Sequence, residues 1–380
     1  MLSSAINYLD RQTLTTLAPV IRDSFGLNHE QFGWILAAFS LTYAVSAPLA
    51  GMFVDRVGLN RAISFAIALW SCAGIATGFT TGLATLIGCR SVLGVAEAGG
   101  IPAAGKAIHR YLQPAERALG NALNQGGVSL GSMAALPFAT WLAGRSGWRS
   151  AFIVTGILGL LWIPLWNLTA RRAGVPDEPR PSTIAGTEIL RDSRLWAFVA
   201  ANGLGMVGYS LWTNWITQYF VDVFKLDLSA AARYALVPAG IAVAGGIAGG
   251  WLSLRLMKLG IPATRARFRA CLIAAFLALL NFAVPAAASP AWAAAAISAA
   301  MFGVAAFTVN MYSLPLDTFG LARAGLSVSL LVASYGALQF VISPIFGRII
   351  DSHGYSPVTA FAGVTPLAGC AILWLSRAAE

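Results

Sequence analysis

The sequence predicts an all-α membrane protein of twelve transmembrane helices in two six-helix pseudo-repeated halves. Composition is the first reason: 57% of the 380 residues are hydrophobic and 11% are charged, against roughly 25% charged in a soluble protein. The second is a series of twelve apolar stretches at 2–21, 32–54, 62–79, 83–108, 119–143, 150–170, 195–220, 234–257, 270–288, 291–314, 324–347 and 355–376. Most have the roughly 17–25 residues needed to cross about 30 Å of hydrocarbon. The third is internal repetition on either side of a polar segment in the middle of the chain.

In chain order, the first span is interrupted by Asp10 and Arg11 and the fourth by Arg90 and Glu97. An ionisable group at bilayer depth costs at least about 2.5–3.5 kcal/mol on insertion scales, so such groups face a bundle interior or a wet cavity and serve transport. Between the second and third spans lies Gly51-Met-Phe-Val-Asp55-Arg56-Val-Gly58-Leu-Asn-Arg61. Gly51 allows two helices to approach and Gly58 permits a tight turn, while Asp55 suits a neighbouring helix N-terminus. In the fourth span Gly94, Ala96, Ala98, Gly99, Gly100, Ala103, Ala104 and Gly105 thin the helix for close packing, and Pro102 frees the Ala98 carbonyl. The segment 171–194, with Pro176, Pro179 and Pro181 among mixed charges, reads as a linker between a first half, 1–170, and a second, 195–380. Gly51 to Arg56 then corresponds to Gly250 to Arg255, 199 residues on, with Leu254 in place of the aspartate. Pro137 with Gly147-Trp148 corresponds to Pro344 with Gly354-Tyr355, 207 residues on. The overlapping small-residue patterns of Gly245, Gly246, Gly249 and Gly250 are expected to pack helices within the chain.

With an even number of spans, 17 of the 25 Lys and Arg residues fall on the side of the termini, six fall on the other, and Arg11 and Arg90 lie within spans. Lys/Arg excess marks the cytoplasmic side, so both termini are expected to be cytoplasmic. The net charge of +10 is spread by membrane side rather than gathered on a soluble face, which excludes a nucleic-acid partner. Cys72, Cys89, Cys271 and Cys370 are scattered, so buried thiols are expected and no metal, cofactor or disulfide framework. The first run lacks a basic n-region, so no cleavable signal peptide is expected. Nine residues before Asp10 supply only about 13.5 Å of helix and no cationic anchor, so the natural protein is expected to start upstream of Met1.

The loop from Gly51 to Arg61 resembles the signature loop of the major facilitator superfamily, whose two six-helix halves bind substrate between them. Asn7-Tyr8-Leu9-Asp10-Arg11, together with Arg90 and Glu97, resembles the anion:cation symporter branch of that superfamily. The segment from Glu97 through Pro102 to Lys106 is most similar to the bacterial hexuronate carriers. The resemblance implies import of an organic anion with protons or sodium across a bacterial inner membrane. It also implies that Tyr43 and Trp215 are site aromatics, and that the weaker second-half loop leaves the gate held mainly by Gly51, Asp55, Arg56, Gly58 and Arg61.

The residues support this reading independently. Arg90 and Glu97 are two helical turns apart, so they share a face about 10.5 Å along the axis. Asp10 and Arg11 point about 100° apart, and each needs its own partner. The guanidinium fork matches a carboxylate in two parallel bonds, which makes Arg11 the first choice for the substrate anion and Arg90 the second. Asp10 and Glu97 remain for protons, because a carboxylate in a low-dielectric cavity can load and release one. No histidine competes for that role, because His29 and His353 fall in external turns and His109 near a cytoplasmic helix end. Lys106 is either a gating contact or a snorkelling anchor. Tyr8 and Tyr43 could wall a pyranose ring, with Trp212, Trp215 and Tyr335 as further aromatics. Asn124, Gln125, Asn202, Asn214 and Asn310 could meet hydroxyls. The expected activity is a monomeric, proton-coupled symporter of a hexuronate. Carriers of aldonates, sialate or aromatic acids remain open alternatives, as does a passive anion channel. A membrane enzyme has against it the lack of any close His, Cys and carboxylate grouping.

Overall fold

Burial of apolar side chains around glycine-rich contacts organises each half of the chain separately. The computed structural model describes residues 1–113, 116–174, 187–319 and 324–376, among which there is no strand. The chain divides into two compact units, Met1–Thr183 and Ile184–Glu380; residues 175–186 of the expected linker lie outside the described residues, as do Arg323 and Arg377. The first unit holds α1 (Leu2–Thr16), α2 (Ala18–Phe25), α3 (His29–Val57), α4 (Leu59–Thr77), α5 (Leu83–Glu97), α6 (Gly100–Tyr111), α7 (Arg117–Ser146) and α8 (Trp148–Ala173). The second holds α9 (Ser193–Gly205), α10 (Val207–Phe224), α11 (Leu228–Lys258), α12 (Ala263–Ala278), α13 (Pro290–Phe319), α14 (Ala324–His353) and α15 (Ser356–Leu375).

Among the described residues, seven helices are long and apolar enough to cross a membrane: α4, α8, α11, α12 with its 3-10 extension to Ala283, α13, α14 and α15. They coincide with the third, sixth and eighth to twelfth expected spans. The other five expected spans fall on α1 with α2, α3, α5 with α6, α7, and α9 with α10. Three of these differ from the continuous helices that the sequence implied, each for a local reason. The first span breaks at Leu17, where Pro19 opens α2 in the first-turn position proline prefers. The fourth breaks after Glu97 at Ala98 and Gly99, before the pair Gly100 and Pro102, and the seventh at Met206, just after Gly203 and Gly205. Glycine and proline are the residues that weaken a helix interior most.

Pseudo-repetition is visible in caps as well as motifs. Asn28 caps α3, its side chain accepting from the Gln31 amide at 2.8 Å, and Asp227 caps α11, accepting from the Ala230 amide at 2.8 Å. These caps are 199 residues apart, the offset of the Gly51 and Gly250 segments. Gly147 and Gly354 both take positive φ, 79° and 71°, and the aromatic that follows each ties a loop to the C-terminal end of its unit's first span. Trp148 donates to Ser24 Oγ at 3.1 Å, and the Tyr355 hydroxyl donates to Asp222 Oδ2 at 2.7 Å. Helix pairing repeats too: α1 packs on α7, α3 on α5 and α4 on α8, as α9 packs on α14, α11 on α13 and α12 on α15. Gly245 and Gly249 of α11 meet Phe302 and Ala306 of α13, the packing within the chain that their spacing implies.

The α1 to α7 contact positions the candidate site. A Cβ at Gly131 would stand 2.1 Å from the Ala5 carbonyl oxygen, whereas one at Gly126 would meet nothing within 4 Å. Gly131→Ala is expected to lower stability by about 1–3 kcal/mol, the usual range for overpacking, while Gly126→Ala leaves it within about 0.5 kcal/mol. Unfolding of the detergent-solubilised variants measures both; equal stability of the two would show that α1 and α7 are not held in backbone contact.

Candidate functional site

Four ionisable side chains of the first unit are withdrawn from solvent and fall into two clusters. In the first, Arg11 of α1 meets Glu97 at the last residue of α5. Arg11 Nη2 donates to Glu97 Oε2 at 2.6 Å, and Nε donates to the same oxygen at 3.0 Å. Glu97 Oε1 is buried with no hydrogen-bond partner among the described residues. The Glu97 side chain is 0% exposed and that of Arg11 24%, so the cation is the more accessible partner of the pair. Three rings surround the guanidinium: Tyr8 at 4.9 Å, Phe39 at 4.8 Å and Tyr43 at 5.2 Å from ring centroid to Cζ. Helical spacing explains the grouping, because Tyr8 lies three residues before Arg11 on α1, and Phe39 lies four before Tyr43 on α3.

The second cluster is deeper. Asp10, 3% exposed, accepts a 2.8 Å bond from the Thr155 hydroxyl of α8 on Oδ1, while its Oδ2 has no hydrogen-bond partner among the described residues. Gly74 of α4 makes room for this carboxylate, since a Cβ there would lie 3.2 Å from Asp10 Oδ1. Arg90 of α5 stands over the Phe152 ring at 5.6 Å, buried within electrostatic range of Asp10 and Glu97. The adjacent Asp10 and Arg11 thus face different neighbours, as their 100° separation requires.

A cavity of about 420 Å³ opens beside the first cluster, within the 300–1,000 Å³ typical of small-molecule sites. Tyr8, Arg11, Tyr43, Glu97, Asn124 and Gln125 line it, together with Ser3, Ser4, Asn7, Ser46 and Trp70. Six of the residues singled out by sequence therefore share one wall system, and Asp10 and Arg90 stand behind it. Asn124 accepts a 2.6 Å bond from Ser4 Oγ. Asn7 Nδ2 is buried with no hydrogen-bond partner among the described residues, which leaves a donor at the cavity. The second unit is arranged differently. Trp215 is 1% exposed within its core, and Asn310 donates from Nδ2 to the Gly249 carbonyl of α11 at 3.0 Å and to the Ala306 carbonyl of its own helix at 2.9 Å, while its Oδ1 has no hydrogen-bond partner among the described residues.

Of the residues expected at the gate, Gly58 takes φ 92° at the end of α3, the turn that only glycine makes without strain. Arg56 and Arg61 are exposed beside it, and Lys106 is half-buried on α6. Gly51 lies in α3; the side chain of Asp55 lies outside the described residues, with those of Pro102 and His109. Sequence reasoning missed Phe39, Thr155 and Gly74. Phe39 was within reach through its spacing from Tyr43, whereas Thr155 and Gly74 are set by contacts between distant helices.

Comparison with known proteins gives these features a context. A profile described as Major Facilitator Superfamily matches residues 1–329. The chain is 25% identical to the hexuronate transporter of Escherichia coli strain K12, covering 98% of this chain and 91% of that protein. It is 28% identical to a Cupriavidus necator protein named "Probable sulfoacetate transporter", covering 92% of this chain and 85% of the other. Among solved structures, a bacterial homolog of the human lysosomal transporter Spinster, inward-facing and occupied, superposes with a TM-score of 0.76 at 22% identity, over 100% of this chain and 94% of the other; at that identity the likeness speaks for the fold. The chain belongs to the major facilitator superfamily, and it is a multi-pass secondary transporter rather than an enzyme.

Proposed function

We propose that this protein imports a sugar acid, a hexuronate such as glucuronate or galacturonate, together with a proton, by alternating access across a bacterial inner membrane. The observation that carries this reading is the Arg11 to Glu97 ion pair on the wall of the cavity. Glu97 occupies the Nε and Nη2 edge of the Arg11 guanidinium, and a substrate carboxylate competes with it for that edge. Protonation turns Glu97 from an acceptor-only carboxylate into a neutral acid and releases Nε and Nη2 of Arg11 to take the uronate in two parallel bonds. The exchange keeps the net charge of the site constant, one arginine facing one carboxylate before and after.

Either ligand alone leaves an uncompensated charge. Breaking a buried pair by removing one partner costs about 3–5 kcal/mol, so the singly loaded states are disfavoured by about a hundredfold or more and proton and anion are taken up together. Asp10 and Arg90 form the second buried charge cluster; Asp10 is the further proton-coupling candidate, and Arg90 supplies positive potential behind the site. Asn7, Asn124, Gln125, Tyr8 and Tyr43 supply donors, acceptors and flat walls for a polyol ring. Trp215 and Asn310, the second-unit candidates for the site, have the weaker support because both are buried in helix packing. The Lys and Arg asymmetry supports cytoplasmic termini, and no observation requires more than a monomer. The hexuronate relative favours a uronate over other organic anions; the relative named for sulfoacetate makes a smaller acid the second reading.

Two outcomes test this function in proteoliposomes. Glu97→Gln is expected to abolish glucuronate uptake driven by a pH gradient while counterflow exchange stays measurable, since a neutral amide mimics the protonated acid permanently. Equal loss of both activities in a folded variant would make the pair structural. Arg11→Lys is expected to weaken uronate binding by more than about tenfold, because a point ammonium loses the two-bond geometry, with competition by neutral hexoses unchanged. Unaltered uronate affinity in Arg11→Lys would move anion capture to another residue.

A further inference from the structure

The exchange proposed above passes through a state in which Glu97 has lost its charge and the substrate has not arrived. Arg11 is then a cation with no counter-ion, largely out of water. What surrounds it at that moment is a set of three aromatic faces from two helices: Tyr8 of α1, and Phe39 and Tyr43 of α3, all within 5.2 Å of its Cζ. Phe39 is the nearest of the three and carries no polar atom. Phe39 and Tyr43 stack on one another with centroids 5.8 Å apart and planes 30° apart, which holds both faces toward the guanidinium. Tyr8, Tyr43 and Arg11 also line the cavity, whereas Phe39 is not among its lining residues.

We infer that Phe39 is a positioning residue that keeps Arg11 stable and aimed while it is unpaired, so that the proton binds before the anion. The face of an aromatic ring attracts a cation without competing for its N–H donors, unlike a carboxylate or an amide. The cage therefore holds the guanidinium and leaves its fork open to the incoming carboxylate. By lowering the free energy of the unpaired cation it also makes protonation of Glu97 easier, since that step creates the unpaired cation. The charged and titratable groups facing Glu97 are Arg11 and Asp10 from α1, Tyr43 from α3 and Arg90 from its own helix, with Tyr8 facing Arg11 and Tyr43. Phe39 alters none of their charges directly and acts only through Arg11.

This inference rests on the symport reading, and the test separates the two. The association rate and the equilibrium binding of labelled glucuronate to the full-length protein in detergent are measured across a pH series for the wild type, Phe39→Leu and Phe39→Trp. Wild-type binding is expected to strengthen as pH falls. Phe39→Leu is expected to slow association at neutral pH by about tenfold, the effect of losing one desolvated cation–π contact in the unpaired state, with equilibrium affinity little changed because Arg11 is paired before and after. The deficit closes at acidic pH, where excess protons compensate for the costlier unpaired arginine. Phe39→Trp, which restores a ring face, is expected to recover the wild-type profile. If Phe39→Leu is not recovered folded, Phe39→Met removes the ring at similar volume and is judged in the same way. A deficit that is the same at every pH, or one that Phe39→Trp does not repair, overturns the positioning role and leaves the symport reading intact. Wild-type binding with no pH dependence overturns the symport reading, and the ordered role of Phe39 with it.

Discussion

The ion pair between Arg11 and Glu97 is the interaction on which the rest of the first unit converges. A charged carboxylate with no exposed surface is stabilised by a cation beside it, and here that cation also keeps a face that water or a ligand can reach. Arg11 does both, bonding Glu97 on one side and touching the cavity on the other. Because both Arg11 donors go to a single Glu97 oxygen, the second oxygen is left without a partner among the described residues. The pair is held together without being saturated, which suits a contact that has to open in each transport cycle.

The helix packing around this pair follows from making it reachable. Glu97 ends α5, where the small residues after it break the helix. One turn earlier, Gly94 lets α5 lie directly on α3: a Cβ there would stand 2.2 Å from Thr42 Oγ1 and 2.5 Å from the Phe39 carbonyl oxygen. That approach delivers Phe39 and Tyr43 to the arginine. On the other side Gly131 brings α7 onto α1, and Asn124 of the same helix to the cavity wall. Small residues thus set the spacing and charged residues use it, as helix association in lipid requires when no hydrophobic force separates helix from tail.

Much of this was legible in the chain. Charges inside apolar runs have few explanations in a membrane, so Asp10, Arg11, Arg90 and Glu97 could be named from composition alone, and the superfamily from the loop that runs from Gly51 to Arg61. Pairing was not legible. Sequence spacing showed that Asp10 and Arg11 could not face one another, yet which of them would meet Glu97 depends on how α1 rotates against α5. The helix breaks at Leu17, Ala98 and Met206 were signalled by nearby proline and glycine but masked by the continuity of the apolar run. Asn310 is legible as an amide at bilayer depth, but its bond to the Gly249 carbonyl arises only once α11 and α13 touch. Phe39 went unseen because a phenylalanine in a membrane helix carries no signal until the charge beside it is known.

The central claim is that one guanidinium is passed from Glu97 to the substrate carboxylate as Glu97 takes a proton. Proton uptake on binding measures this without transport. Glucuronate is added to the purified protein in weakly buffered detergent solution at a pH where Glu97 is charged, and the pH change is recorded. The exchange requires the wild type to remove protons from solution in step with anion binding, and the Glu97→Gln protein to bind the anion with that component missing. Saturable glucuronate binding by the wild type with no proton uptake, or uptake undiminished in Glu97→Gln, would contradict the account.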